Sequence, residues 1–64
     1  MQAGNRVIIK TTSKWYNADS SNPTCQGTIR VVNNLDSTYV DWDNGTWNGY
    51  VEADLEIINT YEIY

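Results

Sequence analysis

The stretch YVDWDNGTWNGY, residues 39–50, decides the fold. It contains two of the three tryptophans and two of the five tyrosines of the chain. Its Asn-Gly dipeptide lies between alternating residues, which is the strongest short-range signal of a β-hairpin. The sequence therefore predicts two antiparallel strands that meet at Asn44-Gly45.

Two registers are open for this hairpin. A two-residue turn at Asn44-Gly45 pairs Trp42 with Trp47, whereas a three-residue turn over 43–45, with its glycine in the left-handed region, pairs Trp42 with Thr46. A shift of one residue sends side chains to the other face of the sheet. The register therefore decides which tryptophan enters the core.

The rest of the chain reads as short strands with one long loop. The loop covers 13–25, which is polar and contains the only proline, and a single 3₁₀ turn is expected at 52–55. Strands are predicted at 6–12, 26–32, 38–43, 46–51 and 56–64. Five short strands favour an all-β fold, a small five-stranded barrel whose closure leaves no open edges. We assign residues 1–58 to the barrel and 59–64 to a C-terminal tail or strand extension.

Composition limits the class of protein. A chain of 64 residues forms one domain, and at this size about 60% of the unfolded surface is buried. Phenylalanine is absent, so tryptophan and tyrosine must supply the bulky packing. The net charge of −4 argues against a nucleic-acid-binding protein, which normally carries a basic patch.

Catalytic and metal chemistry find no support in the sequence. The chain has one cysteine, Cys25, and no histidine, which excludes an internal disulfide and a cysteine-cluster zinc site. The DWDNG run lacks the remaining ligands of a calcium loop. Neither a nucleophile with its base nor a metal site can be assembled, so we expect no enzyme and no cofactor. No apolar run reaches the ~20 residues of a membrane span, and no signal peptide is recognised, so a cytoplasmic protein is expected.

Several short motifs, in order along the chain, carry a resemblance to a known family. They are GNRV (4–7), KW (14–15), GTI (27–29), VDWDNGTWNGY (40–50) and DL (54–55). Together they resemble the SH3-like domain of the mind-bomb/HERC type, up to Leu55, and the most specific piece is Val-x-Trp-Asp-Asn-Gly followed by Asn48 and Tyr50. The resemblance implies an SH3-like barrel that binds protein segments without catalysis. The chain also resembles small orphan phage proteins, and its 13–25 loop departs from the Gly- and Asp-rich stretch of the family.

The resemblance favours the three-residue register. Trp42 and Tyr50 occupy family-like positions, and Trp47 does not. We therefore predict that Trp42 lies in the core and Trp47 on the surface. Asp41 and Asp43 alternate with the core side and are expected to be solvated.

Four residues are candidates for partner binding: Trp47, Tyr16, Trp15 and Asp41. Tryptophan and tyrosine are favoured in binding hot spots. Two alternatives stay open, since Trp15 could instead fold back as a lid over one end of the barrel. Trp47 could instead pack against a neighbouring strand on the outer face.

Three functions are compatible with the sequence. The first is a non-catalytic module that binds a protein or peptide through exposed aromatic side chains. The alternative is a small acidic inhibitor, phage-encoded on the second resemblance, that occupies a basic or nucleic-acid-binding surface of a host protein. One dense stripe of acidic residues would favour the inhibitor, and scattered acids the module. A KOW-like nucleic-acid binder ranks last, because few bases are available to meet phosphates: Arg6, Lys10, Lys14 and Arg30.

Overall fold

Residues 1–58 are described by a computed structural model, in which five antiparallel strands form one sheet. A 3₁₀ turn at Glu52–Asp54 precedes the last strand, as the sequence predicted. The strands are β1 (Arg6–Ile9), β2 (Gly27–Asn34), β3 (Ser37–Trp42), β4 (Trp47–Tyr50) and β5 (Leu55–Ile57). Their order in the sheet is β4-β3-β2-β1-β5, and the predicted all-β class is confirmed.

The strand boundaries differ from the prediction at several places. β1 ends at Ile9 because the chain turns there: the Lys10 N–H donates to the Asp54 carbonyl, and the Ser13 N–H donates to that of Lys10. β2 continues to Asn34, two residues beyond the predicted 26–32 strand. β4 and β5 form the two edges of the described sheet, so a closed barrel is not shown. The predicted 59–64 tail lies outside the described residues.

The core occupies one face of the sheet. Every second residue of β3 is buried, which is the period of a strand with one covered face. Trp42 and Tyr50 meet edge to face with ring centres 5.7 Å apart, and the Trp42 indole N–H donates to the Tyr50 hydroxyl at 3.1 Å. Two amphipathic aromatics thus provide the bulk that phenylalanine would otherwise supply. The buried apolar residues are Val7, Ile9, Ile29, Val40, Trp42, Tyr50 and Leu55.

The hairpin adopts the three-residue register. The Trp42 N–H donates to the Thr46 carbonyl at 2.8 Å, and the Gly45 N–H donates to the Trp42 carbonyl at 3.0 Å. Gly45 has φ of +92°, in the left-handed region that favours glycine. Trp42 is 3% exposed and Trp47 is 55% exposed. The predicted division between a core and a surface tryptophan is confirmed.

Replacement of Gly45 by valine is expected to lower the free energy of unfolding by about 1–3 kcal/mol, because a β-branched residue is strained at positive φ. Gly45→Asn is the matched control, since asparagine tolerates this backbone region. The midpoints of urea denaturation of the two variants measure the difference. Equal midpoints would show that the turn does not need a left-handed residue.

Gly27 lies at a close approach between β2 and β3. A Cβ atom built at this position would be 2.5 Å from Cε3 of Trp42 and 2.8 Å from the backbone oxygen of Asp41. A close approach of another backbone is a recognised reason for glycine within a strand. Glycine is required because the Trp42 ring lies directly against the β2 backbone.

β2 contains two bulges farther along. Ile29 pairs with Val40 and Val31 pairs with Tyr39, which leaves Arg30 as an extra residue in β2. Arg30 and Val31 are consecutive and both exposed, because a bulge interrupts the alternation of faces. A second shift occurs between Val32 and Asn34. The first bulge keeps Val31 on the outer face beside Arg30, although alternation from the buried Ile29 would turn Val31 inward.

The long loop is held against the hairpin by hydrogen bonds. The Ser20 carbonyl accepts from Asn44 Nδ2 at 2.9 Å and from the Thr46 hydroxyl at 3.1 Å. The Tyr50 hydroxyl lies 2.7 Å from Oδ1 of Asn22, which is 4% exposed. The loop therefore packs along β4 and covers the end of the core beside Tyr50.

Candidate functional site

A groove of about 530 Å³ runs beside β4, between the long loop and the sheet. Trp15 lines it from the loop and Tyr39 from β3. Gly49 lines the groove from β4, Val51 from the position just after β4, and Asp54 from the 3₁₀ turn. β4 pairs only with β3 within residues 1–58, so the groove follows an edge of the described sheet.

Tyr39 connects this groove to the outer face of the sheet. A Cβ atom at Gly49 would lie 2.7 Å from the Tyr39 ring, so only glycine lets the ring lie across β4. The same ring packs edge-on against Trp47, with ring centres 6.1 Å apart and planes at 66°. Aromatic surface therefore continues from the groove to the exposed indole of Trp47.

Arg30, Tyr39, Asp41 and Trp47 form what we call the outer-face cluster. The Arg30 guanidinium lies 5.2 Å from the Trp47 ring centre and is paired with the Asp41 carboxylate, Nε lying 3.1 Å from both oxygens. A cation over an indole face is attracted by the ring quadrupole. The cluster packs Trp47 against the outer face, while the residue stays 55% exposed.

Asp41 lies on the outer face of β3 and Asp43 in the turn that follows it. Both are solvated as predicted, with 49% and 50% of their side chains exposed. Each also pairs with an arginine, which the sequence did not predict. Asp43 contacts Arg6 at 2.5 and 2.9 Å. Hydrogen bonds from the guanidinium groups hold the pKa of both carboxyls below the ordinary value of 3.8.

The structure brings some of the predicted partner-binding residues together. Trp47 and Asp41 face each other across β3 and β4 within the outer-face cluster. Trp15 lines the groove and is 40% exposed. Tyr16 is 37% exposed but does not line the groove. A binding role for these four residues stays a prediction.

Other residues of the site were missed. Tyr39 could have been found, because it shares a strand face with Asp41 and lies opposite Gly49 in the three-residue register. Arg30 faces outward by alternation from Ile29, but its contact with Trp47 could not be predicted, because no glycine, proline or asparagine within IRVV marks the bulge that shifts the register of β2. Asp36 also lines the groove, from the turn between β2 and β3, and no local pattern identified it.

Tyr50 also lines the groove, and its hydroxyl is committed to hydrogen bonds within the protein. Burial raises the pKa of the Tyr50 hydroxyl, against the opposing effect of its hydrogen bond with Trp42. The hydroxyl is hydrogen-bonded to Asn22 and Trp42, and these bonds hold the fold together. The site therefore offers aromatic surface, amide groups and carboxylates, which suit binding.

Among residues 1–58, no helix has the length and apolar character needed to cross a membrane. Over the same range, no three side chains of the metal-ligating types cluster.

Comparison with models of known protein families gave no match for this sequence. Comparison with curated proteins gave no match either.

Proposed function

We propose that this chain is a non-catalytic SH3-like barrel that binds a segment of another protein. Closure of the barrel is supported by two features of the sheet. The last strand returns to pair with the first, Leu55 lying opposite Ile9. The bulges of β2 bend and twist the strand that connects the two halves of the sheet.

The observation that carries the binding function is the groove with aromatic walls. Trp15 and Tyr39 line it, and Trp47 projects beside it, more than half exposed. These side chains lie outside the buried core cluster. A large exposed aromatic surface with polar residues around it is typical of an interaction site, and tryptophan and tyrosine are favoured at hot spots.

The distribution of acidic residues favours a binding module over the acidic inhibitor. Asp41 and Asp43 are paired with Arg30 and Arg6, and Glu52 lies 3.6 Å from the N-terminal amine of the chain. Acids with cationic neighbours do not form one dense negative stripe. The inhibitor hypothesis predicted such a stripe.

Replacement of Trp47 by serine is expected to weaken binding of the partner by about 1–2 kcal/mol, the size of a hot-spot truncation. The fold should stay intact, with a change of no more than about 1 kcal/mol, because only the contacts with Tyr39 and Arg30 are lost. The partner is isolated by affinity capture with the parent protein. Calorimetry then measures the affinity, and circular dichroism melting measures the fold.

Ile57→Ser is the matched control, because Ile57 is an apolar residue of similar exposure, 48%, on the opposite edge strand. It should leave the affinity unchanged. If Trp47→Ser and Ile57→Ser bind the captured partner equally well and both are folded, the outer-face cluster is not part of the binding surface.

A further inference from the structure

The groove carries two carboxylates. Asp36 reaches it from the turn between β2 and β3, and Asp54 from the 3₁₀ turn. Lys14 also lines the groove, with its ammonium 5.1 Å from the centre of the Trp15 ring. The charged lining of the groove therefore has an excess of one negative charge, in contact with an aromatic wall.

These two carboxylates differ from the others nearby in their partners. Asp41, Asp43 and Glu52 each have a cation within 4 Å, whereas no ion pair within residues 1–58 includes Asp36 or Asp54. Asp54 accepts one hydrogen bond, from the Ser13 hydroxyl at 3.1 Å. The two carboxylates outnumber the single Lys14 ammonium in the groove, and a concave surface concentrates the negative potential that this excess produces. Their position favours a cationic group from outside the chain.

The backbone along the groove is suited to an extended segment. Trp42 and Thr46 form a hydrogen-bonded pair, so by alternation the backbone groups of Trp47 and Gly49 point away from β3. The Gly49 N–H is taken by Oδ1 of its neighbour Asn48 at 2.8 Å. Residues 46–51 contain no charge and no proline, the two common devices that block strand pairing at an edge.

We propose that the groove takes an extended segment of a partner protein that carries arginine or lysine. The backbone of the segment runs along β4, and its cationic side chain meets Asp36 and Asp54. The inference rests on the proposed function and adds the chemistry of the partner. A basic partner is favoured over a second copy of this chain, because two copies with a net charge of −4 repel each other.

The experiment uses two synthetic peptides with the ¹⁵N-labelled protein. One is acetyl-Ala-Val-Arg-Val-Arg-Val-Ala-amide, and the other has citrulline, a neutral isostere, in place of both arginines. The arginine peptide is expected to shift the amide signals of Gly49, Val51 and Asp36 and the indole signal of Trp15. The citrulline peptide should bind at least about fivefold more weakly, because it lacks the charge that the carboxylates recognise.

Asp36→Asn tests the location of the cation. The substitution removes one charge from the groove. Within residues 1–58 the Asp36 carboxylate makes no hydrogen bond that would be lost. Binding of the arginine peptide should fall about three- to tenfold. A distant charge would contribute less, because salt screens its attraction for the peptide. Glu56→Gln is the matched control, since it removes the same charge from β5 and does not line the groove. It should change the affinity less than about twofold.

Each contrary result has a distinct meaning. Equal affinity for both peptides, with shifts still confined to the groove, would overturn the basic partner and leave the proposed function in place. Equal losses in Asp36→Asn and Glu56→Gln would overturn the cation site. No shift of any groove signal with either peptide would overturn the inference. So would a dimer in sedimentation whose formation shifts the amide signals of β4 as protein concentration rises. The proposed function is tested separately. It fails if the captured partner binds Trp47→Ser as tightly as it binds the parent protein.

Discussion

Replacement of Trp42 by alanine is expected to unfold the protein. The side chain is 3% exposed and packs against Tyr50, with which it also shares a hydrogen bond. Truncation of a buried aromatic typically costs about 3–5 kcal/mol. A single core of this size rarely supplies more than about 3–5 kcal/mol, so the loss removes most of the stability. Circular dichroism and urea denaturation at 25 °C measure it.

Trp47→Ala is the control for this prediction, since it removes the same side chain from a position that is 55% exposed. It should melt cooperatively within a few degrees of the parent protein, given that about 1 kcal/mol shifts the melting temperature of so small a domain by about 4–8 °C. A cooperative melt of Trp42→Ala near the parent temperature would show that Trp42 is not the centre of the core.

Gly27→Ala has the second large effect that we expect. The added methyl group would lie 2.5 Å from Trp42 Cε3, 2.7 Å from Val40 Cγ1 and 2.8 Å from the Asp41 backbone oxygen. The first two are core side chains and the third is backbone of a central strand, so none can move without disturbing the sheet. Overpacking of this kind typically costs about 1–3 kcal/mol, occasionally more. The midpoint of urea denaturation should fall accordingly.

Gly4→Ala separates the steric effect from the general cost of replacing a glycine. A Cβ atom at Gly4 would have no neighbour within 4 Å, although φ is +93° there. This control therefore carries backbone strain without a clash, and it should be less destabilising than Gly27→Ala. If the two variants unfold at the same urea concentration, the contact of Trp42 with the β2 backbone is looser than described.

The central hairpin could be predicted because its signals are local. The Asn-Gly dipeptide identifies the turn, and the resemblance then selected the register that buries Trp42. The bulges of β2 could not be predicted, since Arg30 lies in an ordinary β-branched run. The extension of β2 through Asn33 and Asn34 was also hidden, because asparagine is depleted in strands.

The candidate site was predictable only in part for a related reason. Trp47 follows from the hairpin register alone, so its exposure was correctly predicted. The groove depends on how the 13–25 loop packs. That packing is decided by contacts between residues that are far apart in the sequence. The pairing of Arg6 with Asp43 spans 37 positions. Such contacts leave no periodic pattern in the sequence, so Tyr39 and Asp36 could not be assigned to one groove with Trp15.

The anchoring of the long loop has a consequence for the order of folding. Its hydrogen bonds to Asn44 and Tyr50 join residues 24 to 29 positions apart, and each requires the hairpin to be formed first. Closing a loop of this length costs entropy before any contact compensates for it, whereas a hairpin forms in about 1–10 μs. We therefore expect the loop to dock after the transition state. The groove that contains Trp15 then forms only after the hairpin, and a partner can bind there only once the loop has docked.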